Sequence, residues 1–470
     1  MQHECGVFGI YNATDPAHKA FHALYALQHR GQESSGIYVS DSENFQGYKN
    51  YGLVLQVFDD ERLAELDSGN PCHALGQVSA SGSTNTEINS IQPMFFKHMR
   101  AEFALCASGS LLNQESLNRS LQEEGAIFQS SSICETLTHL LVRNKETFLP
   151  ALKQSLAELV GSYCFIILRK NRLYAMRDPY GFMPLCLGKL GDSYIIASES
   201  CALDALGAEF IRDVEAGEII EINQEGIFSH RFTDRAKPAF CLMEYVYFAR
   251  PDSIINGINV HKARYNCGVE LAKESTADCD LVIGVPDSSL SAAQGFAQEA
   301  NLPMHSGLIK NKYSGRSFIE PMAKKRKMVV SMKLSPIRYL IENKSITLID
   351  DSIVRGTTMR HLVSMLRDYG AKEVHIRIAS PKMLGPCFYG VDFSSYEELI
   401  GAHKSVDEIC KELGADSLKF LSLPGLCKAV GIEENAVCGA CYTEKYPTSL
   451  HDYEAYVREI QSKLPAERKY

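Results

Sequence analysis

The 470-residue sequence lacks a long apolar run, a secretory start and an excess of positive charge. No apolar run reaches the length that a bilayer requires, and residues 1–5 lack the basic start and apolar core of a signal peptide. The net charge is −9 and the pI is near 5.9, which argues against binding to nucleic acid. We therefore expect a cytoplasmic protein with neither a nucleic-acid nor a membrane partner.

The sequence also lacks internal repeats and low-complexity tracts. Its length suits two domains, each with its own core. Fifteen cysteines without a secretory signal favour reduced thiols, metal ligands or catalysis over a disulfide framework. We predict a short leader over residues 1–4 that could be removed, a first domain over 5–235 and a second over 236–470. The polar stretch near 229–237 is predicted to be the linker between the two domains.

One apolar run in the second half, 346–349, stops at the paired carboxylates Asp350 and Asp351 and leads into a small-residue loop. This pattern is typical of a buried parallel strand that feeds a loop and a helix, and ligands bind at such strand ends. Backbone N–H groups and hydroxyls in the loop 356–358 suit a phosphate, and the carboxylates suit hydroxyls or magnesium. The alternative is an acidic turn of no special function.

A second apolar run, 280–285, ends in a polar loop that contains Ser288 and predicts the other wall of the same crevice. Ser288 alone is also compatible with a structural turn. Farther along, residues 310–316 place three cations around a glycine, and the basic run 324–327 follows. Solvated surface charge is the alternative for the latter run.

The first half begins with Cys5, four residues from the start of the sequence. If residues 1–4 are removed, the α-amine of Cys5 can act as the base for its own thiol. The alternative is an ordinary buried cysteine. The run Cys5 to Gly9, followed by residues 26–37, resembles the glutamine amidotransferase domain of the N-terminal-nucleophile class. That resemblance implies an α-β-β-α sandwich in which Cys5 attacks the carboxamide of glutamine, with Arg30 and Gly109 in the catalytic set.

Three positions depart from this family pattern. Ser79 stands where the arginine for the glutamine carboxylate is expected, Ser108 replaces the oxyanion-hole asparagine, and Ile133 replaces the aspartate for the substrate ammonium. Losing one oxyanion donor typically costs about 100 to 1000-fold in rate. Without the arginine for the carboxylate and the aspartate for the ammonium, the glutamine substrate would also not be held in the orientation that the reaction needs. We expect little or no glutaminase activity, with weak or altered activity as the alternative.

The run 241–253, together with the acidic pair and the Gly-Thr-Thr loop of type I phosphoribosyltransferases, resembles the amidophosphoribosyltransferase family. The resemblance implies a type I phosphoribosyltransferase α/β domain with a parallel sheet after the sandwich, so the chain combines α/β and α+β architecture. It implies displacement of pyrophosphate from 5-phosphoribosyl pyrophosphate (PRPP) by ammonia, glutamine-derived in the family, to give 5-phosphoribosylamine in the first step of de novo purine biosynthesis. Mg²⁺, purine-nucleotide feedback and a homo-oligomer, tetramer or dimer, follow from the same resemblance.

The residues expected to contact substrate or magnesium share this resemblance. Lys312 and Arg316 are expected in the loop that closes over PRPP, and Ser288 near magnesium with the acidic pair. The PRPP-binding residues are predicted to be Asp350, Asp351, Ser352, Arg355, Gly356, Thr357 and Thr358.

Four cysteines, Cys241, Cys387, Cys438 and Cys441, match the thiolate positions of the iron-sulfur form of the family. Four thiolates suit a 4Fe-4S cluster. They also suit a tetrahedral zinc ion, and four buried thiols are the third interpretation. A cluster here is expected to be structural and to join the start of the second domain to its end.

Two rival functions remain open at this point. One is a non-catalytic regulatory protein that keeps only a PRPP or nucleotide pocket. The intact acidic pair, Ser288 and the closing loop speak against it, because a binder has less need of a loop that shields a reaction. The other is an enzyme whose ammonia comes from the glutaminase of another protein.

Overall fold

A computed structural model describes residues 5–80, 88–99, 101–234, 236–311, 334–391, 393 and 395–464. The predicted leader, residues 1–4, lies outside these ranges. In the first half, two antiparallel sheets have the strand orders β11-β9-β10-β1-β4-β2-β3 and β13-β12-β8-β7-β6-β5. Their bounds are β1 Cys5–Tyr11, β2 Ser34–Ser40, β3 Phe45–Tyr51, β4 His73–Ser79, β5 Met94–His98, β6 Ala101–Leu111, β7 Gly161–Arg169, β8 Arg172–Arg177, β9 Cys186–Leu190, β10 Ser193–Ala197, β11 Glu209–Asp213, β12 Glu218–Asn223 and β13 Gly226–Arg231.

Three apolar cores stack these sheets into layers. One core packs the helix Pro16–Ala26 on the β1-containing sheet, and another packs the helices Ile133–Arg143 and Phe148–Glu158 on the sheet that contains β7. The third lies between the sheets, where Val7 of β1 belongs to the same cluster as Ile166 of β7. Alternate residues of a strand point to opposite faces, so a central strand such as β7 serves two cores, with Phe165 in one and Ile166 in the other. This confirms the α-β-β-α sandwich.

The remaining helices of the first half are short or lie at its edges. They are Val54–Val57, Asp60–Leu66, Gln114–Glu123 and Cys201–Asp204. The polar stretch around residues 229–237 resembles a linker in sequence, but β13 continues through Arg231 because Ser229 pairs with Ile220. The domain limits at 235 and 236 stay a prediction.

The second half is built on a four-stranded parallel sheet of order β17-β20-β21-β22. Apolar clusters cover both faces, as parallel sheets require. The strands of this half are β14 Phe240–Cys241, β15 Ile254–Ile255, β16 Ile258–Asn259, β17 Leu281–Gly284, β18 Leu308–Lys310, β19 Leu334–Pro336, β20 Ser345–Asp350, β21 Glu373–Ile378, β22 Ser417–Phe420 and β23 Val437–Cys438. Its helices are Val260–Glu274, Leu290–Glu299, Arg338–Ile341, Thr357–Asp368, Ile400–His403, Val406–Leu413, Leu423–Val430, Ala440–Thr443 and Glu454–Lys463.

Among the described helices, none combines the length and the apolar character needed to cross a membrane.

Two helices of the second half, Val260–Glu274 and Leu290–Glu299, cross with almost no space between their backbones. A Cβ atom added at Gly268 would lie 1.8 Å from the carbonyl oxygen of Ala292, and one added at Gly295 would lie 1.9 Å from that of Tyr265. A backbone oxygen cannot turn aside as a side chain does. Both glycines are therefore required by the close approach.

We expect Gly268→Ala to lower the free energy of unfolding by about 2 kcal/mol or more, because the added methyl group forces the helices apart. Urea denaturation measures this change. The control is Lys262→Ala on the exposed side of the same helix, which should stay within about 0.5 kcal/mol of wild type. Equal stability of the two variants would contradict the close packing.

Candidate functional site

The carboxyl ends of β17 and β20 form one edge of a crevice. The strands are parallel neighbours with Gly284 opposite Ile349, and the Val285 N–H donates to the Ile349 carbonyl at 2.9 Å. This register brings the loops after both strands together, as expected for parallel sheets. The Ser288 hydroxyl donates to the Asp351 carboxylate across the gap. Ser288 and the acidic pair therefore meet as the sequence predicts.

The acidic pair is held by short hydrogen bonds. The Asp351 N–H donates to Asp350 Oδ1 at 2.9 Å, and the Ser352 hydroxyl donates to Asp351 Oδ1 at 2.7 Å. Burial raises the pKa of both carboxyls, and the neighbouring charge of Asp351 raises that of Asp350 further. Two neighbouring carboxylates of this kind suit a magnesium ion, whose positive charge would offset the repulsion between them. They also suit substrate hydroxyls, which donate hydrogen bonds to carboxylate oxygens.

The loop after β20 turns directly into the helix Thr357–Asp368. Gly356 precedes this helix with φ +72°, a left-handed conformation that favours glycine. Thr357 and Thr358 are exposed at the first turn, where backbone N–H groups have no helical acceptors. Arg355 lies beside them and forms an ion pair with Glu398. This first turn therefore leaves N–H groups available to an anion, and the binding of a phosphate by the loop stays a prediction.

The predicted closing loop is described only where it begins. Lys310, the last residue of β18, forms an ion pair with Asp287 in the loop after β17. Lys310, the first cation of the segment 310–316, therefore lies at the loop that follows β17. Lys312 and Arg316 lie outside the described residues.

On the amide side, Cys5 is the first residue of β1 and is buried. It pairs with Ser79 of β4, and its Sγ lies 3.6 Å from the Ser79 hydroxyl oxygen. The Cys5 N–H donates to the Ser108 hydroxyl oxygen at 3.1 Å. Two of the three departures from the family pattern therefore contact Cys5 directly. Hydroxyls stand there in place of a guanidinium and a carboxamide.

Gly109 has a backbone conformation and surroundings that only glycine fits well. Its φ is +115°, and a Cβ atom there would lie 2.2 Å from the Ser162 carbonyl oxygen. The third departure, Ile133, is 1% exposed and packs in the apolar core at the start of its helix. Cys134, the next residue, lies within electrostatic reach of Cys5. An apolar side chain thus occupies the position where a carboxylate is expected.

Arg30 is 3% exposed and joins the two halves. Its guanidinium forms ion pairs with Glu199 in the first half and Glu244 in the second. The sequence did not predict either carboxylate as a partner of Arg30. They lie 169 and 214 residues away along the chain, and no local pattern indicates a pairing over such distances. Its predicted catalytic role stays a prediction.

The four predicted cluster cysteines line a single apolar cavity. β14 and β23 pair in parallel, with Cys241 opposite Cys438, so the start and the end of the second half meet here. The cavity is small: the space open to the centre of a water-sized sphere is about 20 Å³. Its lining consists of Phe182, Met183, Cys241, Met243, Cys387, Tyr389, Val391, Phe393, Cys438, Ala440 and Cys441.

Burial raises the pKa of Cys438 to about 12 and raises that of Cys441 as well, so both thiols hold their protons until a metal displaces them. Within the described ranges, no group of three or more histidine, cysteine, aspartate or glutamate side chains is arranged to hold a single metal ion. A zinc ion would need all four sulfurs about 2.3 Å from one centre. The assignment of these four thiols to an iron-sulfur cluster, to zinc or to plain packing therefore stays a prediction.

Comparisons with known proteins agree with this geometry. A family model for a glutamine amidotransferase domain matches residues 81–205. The amidophosphoribosyltransferase of Staphylococcus aureus strain Mu50 is 46% identical over 461 residues, which cover 97% of this chain and 93% of the relative. This chain belongs to the amidophosphoribosyltransferase family. The amidophosphoribosyltransferase of Bacillus subtilis strain 168 is 44% identical over 457 residues, covering 96% and 95% of the two chains.

Solved structures of this family share the whole architecture. The glutamine PRPP amidotransferase of B. subtilis in complex with ADP and GMP has a TM-score of 0.90 at 44% identity, covering 95% of this chain and 98% of that one. A structure described as the allosteric regulatory enzyme of purine biosynthesis has a TM-score of 0.91 at 45% identity, covering 95% and 97%. The sandwich followed by a parallel-sheet domain is therefore the fold of the family.

We expect Asp350→Asn to raise stability while it abolishes the use of PRPP. The raised pKa of Asp350 means that stability is lost as the pH rises through that pKa, and a neutral amide removes this loss while its oxygen still accepts from Asp351 N–H. The gain should be about 1 kcal/mol at pH 8 and should shrink toward pH 4. Thermal unfolding of the ligand-free protein measures it. A variant less stable than wild type at pH 8 would contradict the account of this pair.

Proposed function

We propose that this chain forms 5-phosphoribosylamine and pyrophosphate from PRPP and ammonia, as the first step of de novo purine biosynthesis. The observation that carries the proposal is the crevice in which Ser288 bonds to Asp351 of the acidic pair, shortly before the start of the helix Thr357–Asp368. Family membership supports the same reaction over a purely regulatory role.

Each group of the crevice has a distinct task. Asp350 and Asp351 bind the ribose hydroxyls and, with Ser288, hold Mg²⁺. When bound, Mg²⁺ offsets charge on the departing pyrophosphate. Residues 352–358 bind the 5-phosphate through backbone N–H groups and hydroxyls. Lys312 and Arg316 close over PRPP and stabilise the leaving group, and closure limits attack by water.

We infer that ammonia, and not glutamine, is the effective nitrogen source. Cys5 faces the hydroxyls of Ser79 and Ser108, and Ile133 belongs to a buried core. None of these three can pair with the carboxylate or ammonium of a free amino acid as an ion does. Ammonia needs no such clamp, since the parallel-sheet half supplies the whole site for its attack on C1.

Cofactors and partners complete the proposal. We assign Cys241, Cys387, Cys438 and Cys441 to a 4Fe-4S cluster, which would join the two ends of the second half. Purine nucleotides are proposed as feedback inhibitors, because a B. subtilis relative was solved with ADP and GMP. A homo-oligomer, cytoplasmic location, removal of residues 1–4 and the limits 5–235 and 236–470 remain part of the proposal.

Steady-state synthesis of phosphoribosylamine with each nitrogen donor tests the proposal. The protein used should have a verified Cys5 terminus, because a blocked α-amine would abolish glutaminase for a separate reason. We expect ammonia to be at least about 100-fold more efficient than glutamine, as for the loss of an oxyanion donor alone. Comparable efficiency would refute the nitrogen-source claim, and pyrophosphate release with neither donor would refute the transferase.

Restoring the clamp tests the physical reason. The triple variant Ser79→Arg, Ser108→Asn, Ile133→Asp should raise glutamine-dependent synthesis at least tenfold and leave ammonia-dependent synthesis unchanged. Because Ile133→Asp places a carboxylate near an apolar core, the double variant without it serves as the folding control. Unchanged glutamine use by two folded variants would show that the clamp is not the missing element.

Iron analysis tests the cluster. We expect about four iron atoms and four sulfides per anaerobically purified chain, with visible absorbance, and loss of both in Cys438→Ser. Cys267→Ser is the matched control, because Cys267 is buried in the same core but does not line the cavity. One zinc per chain without iron would support the zinc alternative instead.

A further inference from the structure

A polar cavity lies at the end of the sandwich opposite to Cys5. Cys5 begins β1 and Tyr11 ends it, so about 20 Å separates the two residues at roughly 3.3 Å per residue. The cavity is lined in part by Tyr11, by His73 of β4, by Tyr194 of β10 and by the turn 223–226 between β12 and β13. The space open to the centre of a water-sized sphere is about 370 Å³, which is in the range of small-molecule sites. None of its lining residues belongs to the sites described above.

The hydroxyl group of Tyr11 calls for a partner in this cavity. Tyr11 is 4% exposed, and its ring stacks on that of His73 with the centroids 4.3 Å apart. Among the described residues, its hydroxyl group has no hydrogen-bond partner. Burial raises the pKa of Tyr11, so the phenol keeps its proton and can both donate and accept. Because a buried tyrosine hydroxyl group normally has a partner, a polar ligand is indicated.

The groups beside Tyr11 form a satisfied network, which indicates binding and not catalysis. Burial lowers the pKa of His73 to about 4, so its ring is uncharged at neutral pH. Its Nδ1 accepts from the Asn12 N–H at 3.1 Å, which leaves the proton on Nε2 to be donated to the Ser42 hydroxyl oxygen at 3.2 Å. Ser42 Oγ in turn lies 3.5 Å from Cys72 Sγ. Because Nε2 already holds a proton, His73 cannot act through Ser42 as a base for the Cys72 thiol.

The lining of the cavity is negatively charged. Asp192 and Glu225 both line it and are exposed, and neither forms an ion pair with a described residue. The described lining contains no lysine or arginine, and His73 is uncharged. Two carboxylates without a counter-charge disfavour a phosphate or another anion and favour a cation. Within the described ranges, Cys72, His73 and these carboxylates are not arranged to hold a metal ion, so an organic cation is the better fit.

Two basic side chains near the cavity already have partners. Arg172 acts on the charge of Tyr11, but it lies outside the lining and forms an ion pair with Glu221. Lys189 also lies outside the lining and places its Nζ 5.7 Å from the centre of the Tyr194 ring. Because a tyrosine ring attracts a cation over its face, Tyr194 adds to the preference of the cavity for positive charge.

We propose that this cavity is a binding site for a small organic cation with more than one amino group. One ammonium group pairs with the carboxylates of Asp192 and Glu225, and another donates to the hydroxyl oxygen of Tyr11. An ammonium group has three N–H donors and no acceptor, which matches a lining rich in oxygen acceptors. Binding makes and breaks no covalent bond. It is independent of the PRPP reaction, because no residue of the acidic crevice takes part.

Calorimetric titration of the full chain with spermidine tests the proposal. We expect one saturable site per chain with a Kd below about 1 mM at low ionic strength, weakened by added salt. Tyr11→Phe keeps the ring on His73 and removes only the hydroxyl group. It should raise the Kd roughly tenfold, as for the loss of one hydrogen bond to a charged group, and Asp192→Asn should do the same.

The matched control is Asp204→Asn. It removes the same charge from the exposed end of the short helix Cys201–Asp204, outside the cavity, and should leave the Kd within about twofold of wild type. All three variants should melt within about 2 °C of wild type, because no described residue depends on the groups that they change. The control ligand is 1,8-octanediol, an uncharged chain of about the same length as spermidine, which should bind at least about tenfold more weakly.

Three results would overturn the proposal. They are no saturable binding of spermidine, a Kd unchanged in Tyr11→Phe or in Asp192→Asn, and an equal rise of the Kd in Asp204→Asn, which would indicate attraction to the net negative charge alone. Binding of the diol as tightly as spermidine would show that positive charge is not recognised. A Tyr11→Phe variant that melts well below wild type would show that the hydroxyl group has a structural role, and would equally contradict the proposal.

Discussion

The parallel pairing of β17 with β20 is the constraint on which the active crevice depends. Because both strands run in one direction and Gly284 stands opposite Ile349, their loops must leave the sheet at the same edge. The carboxylate of Asp351 after β20 then accepts from the Ser288 hydroxyl of the loop after β17, and the next helix starts six residues farther along, at Thr357. Neither loop alone would make this site. The raised pKa values of the two carboxyls mean that their surroundings disfavour the charged forms.

The first half contacts the second through buried charged and aromatic side chains. Arg30 is buried between carboxylates from both halves, and removing one partner of such a pair typically costs about 3–5 kcal/mol. Phe182 of the first half stacks on Tyr389 of the second with ring centroids 4.2 Å apart, at the wall of the cysteine cavity. The sandwich thus acts as a structural partner of the transferase.

Individual strands and helices were predictable from the sequence because each depends on the pattern of a few consecutive residues. The strand before Asp350, the helix after Gly356 and the strand that starts at Cys5 all follow from apolar periodicity and small-residue loops. The sandwich follows from family resemblance. The resemblance also assigned Ser79 and Ser108 to the substrate site, but their contacts with Cys5 became known only from the structure. The partners of Arg30 were not predictable, since tertiary packing alone brings them together. The prediction of a linker at Ser229 was wrong, because a polar residue on an edge strand resembles a loop residue in sequence, whereas Ser229 pairs with Ile220.

The central claim is that the phosphoribosyl site is intact and the glutamine site is not. Calorimetric titration of the purified protein tests this through binding alone, independently of turnover. The account predicts saturable binding of PRPP in the presence of Mg²⁺, and no saturable heat with glutamine up to millimolar concentrations. Saturable glutamine binding in that range, or no PRPP binding with Mg²⁺ present, would contradict it.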